Sequence, residues 1–180
     1  MVAGKEYVLH ILFVCTGNIC RSPTAERLAV AYANQARIPN LTASSAGIRA
    51  VISHPIHPEA ATVLESLGGN ASYFSARQLK PKTVSGVDLI LTMTTAHRDA
   101  ALEIAPQKLH RTFTLSEAAQ LASSHGATSV ADLSALRPQL AQRELFDIPD
   151  PIGQDPAVFS AVGSQIAALL PPILELCRTP

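Results

Sequence analysis

Val8-Leu-His-Ile-Leu-Phe-Val-Cys15-Thr-Gly-Asn-Ile-Cys-Arg-Ser-Pro-Thr24 is the stretch from which the rest of the chain is read. An apolar run stops at Cys15, a short polar loop follows, and Pro23 opens a helical pattern. A strand that turns tightly into a helix directs its backbone N–H groups inward as an anion-binding nest. The helix N-terminus adds unpaired N–H groups and the positive end of a dipole. Gly17 is predicted to take positive φ where the loop curls, and Asn18 tolerates the same conformation while its amide holds the loop. Arg21 offers a planar fork suited to two oxygens of a tetrahedral anion. Cys15 lies at the centre of this positive field, which favours its thiolate, and Ser22 can donate a hydrogen bond to the sulfur. Residues 15–22 thus read as an oxyanion cradle lined by Thr16, Gly17, Asn18, Ile19 and Cys20, with a nucleophile at its floor.

Other readings of the same residues are weaker. A lone thiol at the end of a buried strand is usually inert packing. Cys15 and Cys20 as half of a zinc site lack further ligands nearby. The lysine of a Gly-x-x-x-x-Gly-Lys nucleotide loop is absent.

In its Cys15-to-Arg21 spacing, with Gly17, Asn18, Ser22 and Pro23 in register directly after the first strand, the stretch resembles the signature loop of the low-molecular-weight protein tyrosine phosphatases, which arsenate reductases share. The resemblance implies a phosphatase with no cofactor and no metal, acting on a phosphorylated protein or small phosphate ester through a cysteinyl-phosphate. It implies that Ser45, in Ser44-Ser-Ala-Gly47, braces the loop through Asn18. It marks Ala76-Arg77 as a family motif in which Phe74 replaces the usual histidine, so that a polar brace is lost or replaced. It also implies that Cys20 can form a reversible disulfide with Cys15.

Composition sets the frame. At 180 residues, residues 1–180 are expected to form one domain. Hydrophobic residues make up 47%, aromatics only 4% and Trp none, so the core must rely on Leu, Ile, Val and Ala. A formal net charge of zero argues against a nucleic-acid partner. The short polar start does not read as a signal peptide, and no segment reads as long enough to span a membrane. Three cysteines without scaffold spacing suit the cytoplasm. Nothing in the pattern specifies an oligomeric state.

Along the chain, strands are predicted at Leu9–Val14, Leu41–Ala46, Val87–Met93 and Leu109–Phe113. Helices are predicted from Pro23 to about Ala36, from His57 to about Leu67, and over Thr95–Ala105, Thr114–Ala122, Val130–Arg143 and Pro156–Leu176. Pro171-Pro172 is expected to break or kink the last helix, whose apolar stripe is read as Val158, Val162, Ile166, Leu169 and Leu170. His10 reads as a packed neutral imidazole, and His54 and His57 as solvent-facing or hydrogen-bonded rather than metal ligands. The stretch 114–145 has no evident functional role. The fold class is α/β: a mostly four-stranded parallel sheet flanked by helices, with the phosphate-binding loop after strand 1.

Cleaving a phosphate ester with a thiolate needs a proton for the leaving oxygen. The resemblance implies an Asp-Pro acid late in the chain, and Asp150-Pro151 stands there. Asp155-Pro156 reads instead as a helix cap and first turn, and Asp147 as a group that pairs with a neighbour. The aromatic walls usual in the family are replaced by Ile152-Gly153 and by Val51 and Ile52. Phosphotyrosine therefore loses ring contacts worth ~0.5–1.5 kcal/mol each. Two rivals remain: an arsenate reductase using an external small thiol, since Cys177 alone makes no later cysteine pair, and a non-catalytic phosphate-binding module.

Overall fold

The computed structural model describes residues 8–141 and 146–178. In chain order the elements are β1 (Leu9–Cys15), α1 (Arg21–Gln35), β2 (Leu41–Gly47), α2 (Pro58–Ser66), α3 (Pro81–Val84), β3 (Leu89–Thr92) and α4 (Thr95–Ile104). A 3-10 turn (Pro106–Arg111) leads into β4 (Thr112–Thr114), then α5 (Leu115–Ser124), α6 (Val130–Leu136), a second 3-10 turn (Arg137–Gln139) and α7 (Pro156–Glu175).

The sheet order is β2-β1-β3-β4 and every pairing is parallel. β1 is central because both of its faces are apolar. Ile11, Phe13 and Cys15 pack with residues of α1, α2, α5 and α7 on one side. Leu12 and Val14 pack with Val84, Ile90, Ala101 of α4 and Ala105 just after it on the other. Covering on both faces is what an unbroken apolar strand requires. The chain leaves β1 first toward β2 and later reaches β3 on the opposite side, so the carboxyl end of β1 is a topological switch point. Cys15 is the last residue of that strand.

Two glycines set close approaches. A Cβ on Gly47 would lie 2.4 Å from the Thr16 carbonyl oxygen, and one on Gly163 would lie 2.3 Å from Val63 Cγ1, where α7 crosses α2.

Several sequence expectations are corrected. Leu109 to Arg111 belong to a 3-10 turn, not a strand, and only Thr112–Thr114 pair with β3. Pro106 favours the tight turn, and from this stretch only Thr112 and Phe113, both fully buried, enter the sheet. The helix expected to reach Arg143 ends at Leu136, where Pro138 forces a 3-10 turn; 142–145 lie outside the described residues. α7 runs through Pro171 and Pro172. Their rings sit on the exposed and half-buried side, while Leu170, Ile173 and Leu174 hold the core side. Its buried stripe also includes Phe159 and Gly163, with Val158 and Leu169 only partly buried. α7 is long and apolar enough to cross a membrane by length and composition, which corrects the expectation that no segment is; its buried face packs on α1, α2 and α5.

The stretch without an evident role has a structural one. α5 buries Leu115, Ala118, Ala119 and Leu121. The Arg137 guanidinium lies 3.8 Å from the centre of the Phe113 ring and donates to the carbonyls of Leu109 and Thr112. The segment is thereby tied to the β4 end of the sheet.

Candidate active site

The loop 16–20 carries β1 into α1. α1 begins at Arg21 with Cys20 in the cap position and no side-chain cap. Among the described residues, the N–H groups of Thr16 to Arg21 have no hydrogen-bonded acceptor. An uncapped helix start over a curled loop is a ready anion site. The left-handed residue is Asn18 (φ 57°) and not Gly17, which corrects the sequence expectation. Asn is among the residues that take this conformation at small cost, and its amide is held on all sides.

That amide organises a chain of hydrogen bonds. Asn18 Oδ1 accepts from the Arg77 N–H at 2.8 Å. Asn18 Nδ2 donates to Ser22 Oγ and to Ser45 Oγ, each at 2.9 Å. Ser45 in turn donates to Glu26 Oε2 at 2.5 Å. Ser22 Oγ, already accepting a hydrogen bond from Asn18, lies 2.9 Å from Cys15 Sγ, where its hydroxyl hydrogen is free to serve a thiolate. The series Glu26–Ser45–Asn18–Ser22 thus ends on the sulfur. Burial raises the Glu26 carboxyl above its usual range, against the Ser45 hydrogen bond and Arg27. With Phe74 in place of a histidine, Asn18 is braced by Ser45 and the Arg77 backbone, while Phe74 stacks under the Arg27 guanidinium at 5.6 Å.

Arg21 is 4% exposed. Its Nη1 donates to the Ile148 carbonyl at 2.9 Å and its Nη2 meets Asp150 Oδ2 at 3.0 Å. Its Nε is buried without a partner, an orphan donor of the kind a ligand satisfies. Ile148 is itself fixed, because its N–H donates to Met93 at 2.9 Å. This anchor brings Asp150 to the loop, where it lines a cavity of about 210 Å³ with Cys15, Thr16, Ile19, Arg49 and Ile152.

Asp147 points elsewhere. It accepts from the Thr95 N–H at 2.8 Å and from its hydroxyl at 3.2 Å, at the start of α4. Asp155 occupies the cap position of α7 with Pro156 in the first turn, and its side chain makes no cap hydrogen bond. Of the three acids, only Asp150 lines the cavity. Val51 lines it too; Ile52 is exposed beside it.

Cys20 is 4% exposed, and burial pushes its thiol up to about 12, with Cys15 and Asp150 adding to the rise. It is held as a neutral thiol and lines the same cavity as Cys15. Cys177 is likewise raised to about 12 by burial. His54 is exposed, and His57 accepts from the Glu59 N–H and stacks on Phe159. His10 shares a hydrogen bond with Ser44 and is lowered by burial. Among the described residues no three His, Cys, Asp or Glu side chains gather as a metal site.

Sequence reasoning missed His97. Its Nε2 and Thr16 Oγ1 share a 2.8 Å hydrogen bond, and its Nδ1 is buried without a partner. Burial holds the imidazole down at about 4, helped by the Arg21 charge and opposed by Asp150 and Asp147. The available signal was topological: His97 follows the carboxyl end of β3, beside the switch point. Glu26, which accepts from Ser45, was missed as well.

The family model for low molecular weight phosphotyrosine protein phosphatases matches residues 10–132, and the chain belongs to that family. It is 41% identical over 97 residues to the low molecular weight protein-tyrosine-phosphatase Wzb of Salmonella typhi, covering 54% of this chain and 62% of Wzb. The chain thus matches less than two thirds of that relative's length. It is 30% identical over 170 residues to the protein-arginine-phosphatase of Geobacillus stearothermophilus, covering 94% of this chain and 97% of the relative. The crystal structure of a low molecular weight protein tyrosine phosphatase from T. tengcongensis superposes with a TM-score of 0.75 at 27% identity, covering 93% of this chain and 98% of that one.

Proposed function

We propose that the chain is a cysteine-dependent phosphatase that hydrolyses phosphotyrosine on proteins, or a related aryl phosphate, through a cysteinyl-phosphate. The observation that carries this reading is the Cys15 sulfur, 2.9 Å from the Ser22 hydroxyl, in a cavity that also holds Arg21 and Asp150. The Cys15 thiolate attacks phosphorus in line. The loop N–H groups and Arg21 Nε hold the equatorial oxygens. Asp150 protonates the leaving oxygen and then, ionised, activates water against the phosphorylated sulfur. Ser22 stabilises the sulfur as attacking and as leaving group. All three cysteines are unpaired thiols, which suits a reducing compartment such as the cytoplasm.

An aryl ester fits the cavity better than a phosphorylated guanidine. Ile19, Val51 and Ile152 give it apolar walls, and Arg49 opposes a second cation. Asp150 is the only carboxylate in its lining and is committed to proton transfer. The test is phosphate release from p-nitrophenyl phosphate, a phosphotyrosyl peptide and a phosphoarginyl peptide, run beside thiol-dependent arsenate consumption. Release from the two aryl esters is expected to lead. Arsenate consumption without phosphate release would replace this reading with a reductase, and tight phosphate binding without turnover would replace it with a binding module.

A further inference from the structure

The segment after β2 is stitched to the catalytic loop. Ile48 N–H donates to the Cys15 carbonyl, Arg49 N–H to Thr16 and Val51 N–H to Gly17, each at 2.9 Å. Gln78 Oε1 accepts from the Ala50 N–H at 2.9 Å. The contact is close enough that Gly47 admits no side chain. The backbone of Arg49 is therefore fixed on the cradle's rim, and Arg49 lines the same cavity as Cys15.

The charges at this rim are unequal. Arg21 is matched by Asp150. Arg49 is exposed, and among the described residues it has neither a carboxylate within ion-pair reach nor a hydrogen-bond acceptor for its side chain. No Glu or Lys lines the cavity. When Asp150 carries the proton it is to donate, the Cys15 thiolate at the floor is the one anion of the lining, and the two guanidinium groups have no carboxylate between them.

We propose that Arg49 is a second anion subsite, which makes the preferred substrate a phosphotyrosine with an acidic residue beside it. The inference rests on the phosphatase reading and narrows it. A guanidinium on a fixed backbone can pair with a carboxylate in fork geometry while the phosphate occupies the loop. The pair is exposed, so its effect is modest and screened by salt.

The experiment compares two phosphotyrosyl peptides that differ only in Glu or Ala at the positions flanking the phosphotyrosine. At low ionic strength kcat/KM is expected to favour the Glu peptide by about two- to fivefold, the range of an exposed ion pair. The ratio is expected to fall to one in Arg49→Ala, to invert in Arg49→Glu, and to shrink with added salt in the parent protein. Titration of both peptides into Cys15→Ser protein measures the same preference without turnover. A ratio of one in the parent protein overturns the proposal. So does a ratio that survives in Arg49→Ala while both peptides and p-nitrophenyl phosphate slow together, which would place Arg49 on the transferred phosphate. Failure to release phosphate from any ester overturns the phosphatase reading instead, and the binding titration then judges Arg49 separately.

Discussion

Asp150 Oδ2 rests 3.0 Å from Arg21 Nη2, so the candidate acid and the candidate oxyanion clamp hold each other. The Asp150 side chain is half exposed, whereas Arg21 is buried. An arriving oxyanion meets the unpartnered Nε and competes with Asp150 for Nη2. Asp150 is thereby placed beside the leaving group and released toward it in the same event.

Asp150→Asn is expected to lower kcat on p-nitrophenyl phosphate and phosphotyrosine by about 10²–10⁴, the usual worth of a general acid or base. The loss is expected to shrink as leaving groups become more acidic. Inhibition by inorganic phosphate is expected to strengthen, because the competing carboxylate is gone. Asp147→Asn serves as the contrast. Asp147 fixes the first turn of α4, so that variant is expected to lose about 1 kcal/mol of stability by denaturant titration and to keep its leaving-group dependence.

Ser45→Ala removes the link between Glu26 and Asn18. It leaves Glu26 Oε2 and one amide hydrogen of Asn18 without this partner, Arg27 remaining on Oε1, a cost of about 1–3 kcal/mol. The variant is expected to fold and to lose activity through a lower kcat, since Asn18 no longer directs the Ser22 proton to Cys15. An unchanged kcat with the predicted stability loss would show that the chain is only a scaffold.

His97 gives a pH-dependent stability with a definite sign. Its imidazole is held at about 4 in the folded protein against 6.5 as its ordinary value. Between these values the unfolded chain binds a proton that the folded one does not. This contribution is intact above about pH 6.5 and is lost as pH falls toward 4. Denaturant titrations of the parent and His97→Gln proteins across that window are expected to diverge, the parent falling more steeply. Parallel curves would contradict the assignment.

The sequence was most legible where chemistry is local. β1, its loop and the start of α1 follow from an apolar run, small polar residues and Arg21 within one short stretch. Asp150 was singled out as the Asp of an Asp-Pro pair through the family resemblance, and of the three acids it is the one that lines the cavity. What stayed hidden depends on distant partners. Glu26 reaches Ser45 across 19 residues and His97 reaches Thr16 across 81, and neither leaves a local pattern. The left-handed position fell on Asn18 because its amide has fixed partners, where glycine's freedom had suggested Gly17. Pro171 and Pro172 did not break α7 because core contacts from Leu170, Ile173 and Leu174 outweigh the local preference.

Cys20 is kept protonated by burial and lines the same cavity as Cys15. A thiolate is oxidised first, and a neighbouring thiol can condense with the resulting sulfenic acid before over-oxidation. Peroxide is expected to inactivate the protein, and dithiol reductant to restore it, with a Cys15–Cys20 link in the peptide map. Cys20→Ser is expected to inactivate at similar speed and recover poorly. Equal recovery, with no link in the parent protein, would show that Cys20 only fills space.

The covalent step at Cys15 is the centre of the account, and trapping it tests the account most directly. The protein is mixed with p-nitrophenyl phosphate, quenched in acid within the first turnover, and the intact and digested masses are measured. One phosphoryl group on the peptide containing Cys15 is expected, with a matching burst of p-nitrophenol, and neither is expected in Cys15→Ser. Phosphate release without a phosphoryl group on Cys15, or undiminished release by Cys15→Ser, would contradict it.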